Sequence, residues 1–319
     1  MNGIGFGTWA WGNQLVWGYD GQRDDARLQA TFRQAIASGL NLIDTADSYG
    51  TGSLNGRSEQ LLGRFAADLP ALRREQLCIA TKLAPFPWRI GRRGLDRALA
   101  GSLQRLQGQL QRVQLHWSTA RYAPWQEGPL LDGLADCVLA GTVKELGVSN
   151  VGPGRLAWMH ERLASRGVPL TSVQVQVSLL SPDDGPVAAL LRECRERSIE
   201  VLAYSPLAFG LLTTPPGQTP RPGTWLRRRL FQQLLPASLE LRTGLDAIAR
   251  DRGVSMGQVA LNWCRSHGTT PIPGVRSPDQ ARDVAAALTW TLSEQERSTL
   301  DDLRQRCGRR MPSNPFQSS

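Results

Sequence analysis

Short apolar runs of strand character alternate eight times with amphipathic helical stretches, and this alternation restricts the possible folds more than any other feature. The runs are GIGFGTW (3–9), LNLID (40–44), LCIATK (77–82), RVQLHW (112–117), VKELGVSN (143–150), TSVQVQ (171–176), IEVLAYSPL (199–207) and TTPIPG (269–274). Between them lie stretches such as DDARLQATFRQAIAS, which Asp24 or Asp25 can cap and Gly39 can stop. Repeated strand–helix units build a parallel sheet through right-handed crossovers. Eight units in about 250 residues plus insertions match a closed barrel. The expected fold is α/β: a single (β/α)8 TIM-barrel domain over residues 1–319.

Two features exceed the basic barrel. Residues 207–236 are rich in Pro, Arg and Gly and read as a long loop after strand seven. Two helical stretches follow, SLELRTGLDAIARDR and SMGQVALNWCRSH, one more than the barrel needs. Loops at the C-terminal ends of barrel strands build active sites, so the insertion reads as a lid or substrate wall. The polar tail, about 308–319, reads as disordered or folded back over the site. A dinucleotide-binding fold, suggested by GIGFG, is set aside because TWAWGNQLVWGYD is a poor helix start after those glycines.

Composition narrows the function. No apolar run approaches the ~20 residues of a membrane span, and MNGIGFGTWAWG lacks the flanks of a signal peptide. Five scattered cysteines without a CxxC pair read as reduced thiols. A cytoplasmic protein is expected. Three histidines, none at ligand spacing from another, argue against a metal. The net charge of +9 gathers in WRIGRRG, WLRRRLF and RQRCGRR. Without a binding motif these read as solvated faces, so no nucleic-acid partner is expected. The basic balance suits an anionic small molecule, and the oligomeric state stays open.

The strongest signal is where polar residues sit. Asp44 ends strand two, Lys82 ends strand three and His116 ends strand four, 38 and then 34 residues apart. Ser149 and Asn150 end strand five, Gln174 lies on strand six and Tyr204 on strand seven. Tyr49 follows Asp44 on a loop. Singly, these residues would pass for a cap, a solvated lysine, a core histidine and a turn aromatic. At consecutive strand ends they would ring one barrel mouth. A phenol has a pKa near ~10; a nearby ammonium favours the phenolate and lowers it. Asp44 could hold Lys82, and His116 could orient a carbonyl oxygen. The set fits proton donation to a developing alkoxide, as in carbonyl reduction.

Over nearly its whole length the chain resembles the aldo-keto reductase superfamily, through GFGTWAWG, LIDTADSYG, GRSEQLLG, IATK, LHW, KELGVSN, VQVQVSLL, VLAYSPLAFG and PIPGVRSPDQARD. GTWAWG is most like the bacterial and plant-plastid branch. The resemblance implies a catalytic tetrad of Asp44, Tyr49, Lys82 and His116, with Tyr49 as proton donor, and an extended NADP(H). It implies that Ser149, Asn150 and Gln174 hold the nicotinamide carboxamide and that Tyr204 stacks on the ring. Gly7, Thr8, Trp9, Ser205 and Leu207 would also contact the cofactor. Gly274, Arg276 and Gln280 would border the 2′-phosphate, and Asp283 the adenine. Val284 replaces a common adenine-contacting Asn, Val177 a frequent aromatic, and the hairpin before strand one is short or missing. Of Trp9, Trp17, Trp88, Trp117, Trp125 and Trp225, those at strand ends, Trp9 and Trp117, are expected to line a pocket for a small-molecule carbonyl substrate. The implied function is NADPH-dependent reduction of aldehydes or ketones to alcohols; the alternative is an NADP(H)-binding regulatory or sensor subunit with slow turnover.

Overall fold

The computed structural model describes residues 3–182 and 185–318. All eight runs are strands: β1 Phe6–Gly7, β2 Leu42–Asp44, β3 Cys78–Leu83, β4 Arg112–Leu115, β5 Glu145–Ser149, β6 Leu170–Gln176, β7 Glu200–Tyr204 and β8 Thr270–Ile272. They lie in one sheet in sequence order. Pairing from β2 to β6 is parallel. A parallel bridge from Gly7 to Gly274 joins the first strand to the last. This is the (β/α)8 barrel. Helices cover the sheet, so strands such as β3 and β4 are buried nearly end to end, their polar residues included.

The chain falls into two compact units. One comprises Asn41–Val175, Asp184–Leu202 and Asn314–Ser319. It holds β2–β5 with the helices Arg57–Ala67, Asp96–Arg105, Pro124–Leu139, Pro153–Ala164 and Gly185–Glu196. Inside it, Lys82, Gln114, Gly147 and Ser172 are successive register partners, a polar layer running across four strands.

The other unit comprises Met1–Leu40, Gln176–Asp183 and Ala203–Ser313, and holds β1, β8 and the added helices. Its first helix, Gly21–Ala37, begins earlier than expected. Asp20, not Asp24 or Asp25, is the cap, accepting from the Gln22 amide. Asp24 is buried and pairs with Arg23 and Arg27. Gly39, at φ 85°, ends the helix region in the left-handed conformation that glycine adopts without penalty. The 207–236 stretch is not loop throughout: Ala208–Thr213 forms 3₁₀ turns and Trp225–Ala237 a helix. That helix buries Phe231, Leu234 and Leu235, an i, i+3, i+4 face hidden in the sequence among arginines.

A last helix, Glu294–Arg306, lies beyond the expected elements although its capping box, Ser293 with Glu296, stands in the sequence. It buries Leu300 and Leu303, and Gly244 gives Leu303 room: a Cβ there would lie 2.2 Å from Leu303 Cδ1. Among the described residues no helix is long and apolar enough to cross a membrane. Replacing Ser293 by Ala leaves the Glu296 amide without its acceptor and should cost about 1 kcal/mol, read as a lower urea midpoint.

Candidate active site

β2 runs out at Asp44, but the chain keeps to the side of β3. The Thr45 amide donates to Ala80 O and the Asp47 amide to Lys82 O, both at 2.9 Å. The backbone then turns, with the Tyr49 amide on Ala46 O and the Gly56 amide on Tyr49 O. Gly50 makes the turn possible: its φ is 128°, and a Cβ would fall 1.8 Å from Leu54 O. Asp47 anchors the inner side, accepting from the Ala84 amide and from Arg89. Burial raises its carboxyl pKa against the pull of Arg89.

Lys82 is 1% exposed and Asp44 3%. Lys82 Nζ donates to both Asp44 oxygens, at 2.7 and 2.6 Å. Burial lowers the lysine's pKa, and the Asp44 charge and hydrogen bonds oppose it and favour the ammonium. Gln174 Nε2 donates to Asp44 Oδ1 at 2.7 Å, and Gln114 Nε2 approaches the same oxygen at 3.4 Å. On the other side, Lys82 Nζ stands 4.9 Å from the centre of the Tyr49 ring. His116 meets that ring edge-on, with centroids 6.0 Å apart. Burial, then the Lys82 cation, hold the His116 pKa well below 6.5, so the imidazole is neutral at physiological pH. One unit thus assembles a carboxylate, an ammonium, a phenol and a neutral imidazole.

The strand-five residues join this group. Ser149 Oγ donates to Gln174 O. Asn150 has a φ of 58°, and its Nδ2 donates to His116 O and Ser149 Oγ. The tail folds back within the same unit. Asn314 Nδ2 donates to Asn150 Oδ1, the Ser318 amide to Asn150 O, and Phe316 stacks on Trp117 with centroids 4.5 Å apart. Trp117 is fixed by its Nε1 on Tyr122 Oη, which donates to Pro85 O. Trp88 stacks on Phe86 yet is 70% exposed, and Trp125 is 69% exposed. Gln114, Asn314 and Phe316 escaped the sequence reading. Gln114 was findable, two residues before His116 and therefore on the same face of the strand.

The other unit holds the remaining candidates. Gly7 donates to Pro273 O, next to Gly274, and Thr8 is buried. Trp9 packs edge-on against both Trp17 and Phe209. Tyr204 ends β7, and Ser205, Ala208 and Phe209, flanking Leu207, all have positive φ. Left-handed backbone outside glycine is strain that gathers at ligand-handling sites. Arg227, from the added helix, lies 4.4 Å over the Trp17 ring, and Arg276 lies 5.4 Å from it. Burial lowers both pKa values, and for Arg227 the Arg276 charge adds to it. No carboxylate bonds to either guanidinium among the described residues. Gln280 Oε1 accepts from the Arg276 amide. Asp283, held by Ser255 and Gln258, borders a cavity of about 430 Å³ together with Thr213 and Gly257. Trp225 is 61% exposed, whereas Val284 and Val177 are core residues. Two partly buried cations with no carboxylate bonded to them among the described residues fit the phosphates of a nucleotide cofactor.

The sequence matches the profile of the Aldo/keto reductase family over residues 3–305. The chain belongs to the aldo/keto reductase family. As a member it is an NADP-dependent carbonyl oxidoreductase. It is 46% identical to the chloroplastic pyridoxal reductase of Arabidopsis thaliana, over 99% of this chain and 86% of that protein. Among solved structures it resembles the glycerol dehydrogenase of Gluconobacter oxydans (TM-score 0.79, 26% identity, 98% of this chain and 94% of that one). It also resembles an aldo/keto reductase from Klebsiella pneumoniae in complex with NADP and acetate (TM-score 0.73, 26% identity, 99% and 95%).

The depressed His116 pKa has a consequence for the reductase's stability. The unfolded chain takes up a proton near pH 6.5, and the folded imidazole does so only at much lower pH. The unfolded state therefore binds more protons as pH falls below about 6.5, and stability drops by at most about 1.4 kcal/mol per pH unit. Above that pH the contribution is fully present. His116→Gln should flatten this part of the curve, measured by urea unfolding across the acidic range.

Proposed function

We propose that this reductase converts aldehydes to alcohols with NADPH, that Tyr49 is the proton donor, and that its substrates are ring-bearing aldehydes of the pyridoxal type. The observation that carries the reading is the buried Lys82 ammonium, paired with Asp44 on one side and facing the Tyr49 ring on the other.

Bound NADPH supplies the hydride. The Tyr49 hydroxyl gives its proton to the carbonyl oxygen as negative charge develops there. Lys82 stabilises the phenolate left behind, and Asp44 opposes the burial that lowers the lysine's pKa. Neutral His116 donates an N–H to the carbonyl oxygen and orients it without adding a second positive charge beside Lys82. In the unit of Asn41–Val175, Ser149, Asn150 and Gln174 would hold the carboxamide end of the cofactor. In the other, Tyr204 would offer its ring face, and Gly7, Thr8, Trp9, Ser205, Leu207 and Gly274 would offer it further contacts. There Arg276 and Gln280 would serve the 2′-phosphate, and Asp283 the adenine.

The substrate class rests on two supports. The 46% identity to a pyridoxal reductase spans nearly the whole chain. The stacked Trp117 and Phe316 rings, beside His116, suit a flat ring rather than a short alkyl chain.

Purified protein is mixed with NADPH and a panel of pyridoxal, aromatic and short aliphatic aldehydes, following cofactor absorbance. Tyr49→Phe should lower kcat by roughly 10²–10⁴-fold with little change in NADPH binding. No turnover across the panel, or full activity of Tyr49→Phe, would sink the reading. Phe316→Ala should raise KM for pyridoxal by about 2–10-fold, the worth of one ring contact, and leave aliphatic aldehydes unchanged.

A further inference from the structure

The polar layer Lys82–Gln114–Gly147–Ser172 contains more hydrogen-bonding capacity than the protein uses. Gln114 and Ser172 are both 0% exposed. Gln114 Oε1 and Ser172 Oγ are buried atoms with no hydrogen-bond partner among the described residues. Buried polar groups are almost always paired, directly or through ordered water. Between these two residues in register stands Gly147. A Cβ on Gly147 would lie 2.4 Å from Ser172 Oγ and 3.0 Å from Gln114 Cγ. The room above the glycine is thus taken up by Ser172 Oγ and the Gln114 stem, which brings the two side chains together across Gly147. The other end of the Gln114 amide is spent on Asp44, which as a carboxylate only accepts, so Nε2 must face it.

We propose that Gln114 is a positioning residue for the Asp44–Lys82 pair, kept turned toward Asp44 by one buried water that bridges Gln114 Oε1 and Ser172 Oγ. Asp44 Oδ1 then takes amide donors from two strands, Gln174 of β6 at 2.7 Å and Gln114 of β4 at 3.4 Å. Both donors favour the ion pair over its neutral form, in which the proton has passed from lysine to carboxylate. Lys82 stays an ammonium, and the Tyr49 phenolate keeps its stabilising charge. The charged or titratable groups acting on Lys82 are Asp44, Asp47 and Glu59, with His116 beside it. A change at Gln114 replaces none of them. The proposal rests on Tyr49 being the acid tuned by Lys82, but it concerns ionisation and is readable without turnover.

The test is a tyrosinate titration by difference absorbance, wild type minus Tyr49→Phe, repeated in a Gln114→Leu background. Gln114→Leu should move the Tyr49 transition to higher pH by about 0.5–1 unit, a 3–10-fold change in its ionisation constant. Ser172→Ala, which removes only a water partner, should move it the same way by less, and serves if Gln114→Leu does not fold. An unchanged or lowered transition in the folded variants overturns the positioning role. A crystal structure at high resolution should show a water on Gln114 Oε1 and Ser172 Oγ; an empty space there overturns the bridge. If Tyr49→Phe abolishes reduction while Gln114→Leu titrates like wild type, the proposed function stands and this inference falls. If Gln114→Leu shifts the titration but no aldehyde is reduced, the reverse holds.

Discussion

An ammonium with 1% of its surface exposed is the constraint around which this barrel is arranged. Taking Lys82 out of water costs several kcal/mol unless a counter-charge and hydrogen bonds replace the solvent. Asp44 supplies the charge, and it can do so only because β2 and β3 are parallel neighbours that bring their ends together. Two glutamine amides then satisfy the carboxylate. The cluster thus draws on four strands, β2, β3, β4 and β6. A slip of one residue in any of them would turn its polar side chain out of the barrel, so the site itself penalises wrong registers.

Most of the barrel could be read from the sequence because of how its strands are covered. Val113, Leu115, Leu146 and Val148 are fully buried, and their short β-branched and leucine-rich runs between amphipathic helical stretches mark the strands. The cluster of Asp44, Lys82 and His116 could be read because these residues end successive strand runs one unit apart. What escaped depended on partners that spacing does not reveal. Asp24 has the makings of a cap but pairs with two arginines, and Asp20 does the capping. The arginines of Trp225–Ala237 hid an apolar face that shows only once Phe231 and Leu234 have something to pack on.

The site residues illustrate the same limit. Gln174 was expected to serve the cofactor, and its Nε2 is engaged with Asp44. Both uses fit a strand-borne amide, and the sequence says nothing of which neighbour it meets. Phe316 sits in a tail without periodicity, so nothing local marks it as a partner for Trp117. By contrast, Gly50 is explained completely by local geometry. Its φ of 128° and the closeness of Leu54 O admit no side chain, and the tight turn places Tyr49 five residues after the aspartate.

Arg227 and Arg276 also act at a distance. Two guanidinium groups that share Trp17, neither bonded to a carboxylate among the described residues, project positive potential outward from their unit. On a chain of net charge +9 that field reaches about 10 Å into solvent at 0.1 M salt. A polyanion is therefore drawn in before any contact forms, and ionic strength governs the speed of encounter. Capture of the nucleotide becomes a kinetic property of the medium, set by counter-ions as much as by the residues that later hold it.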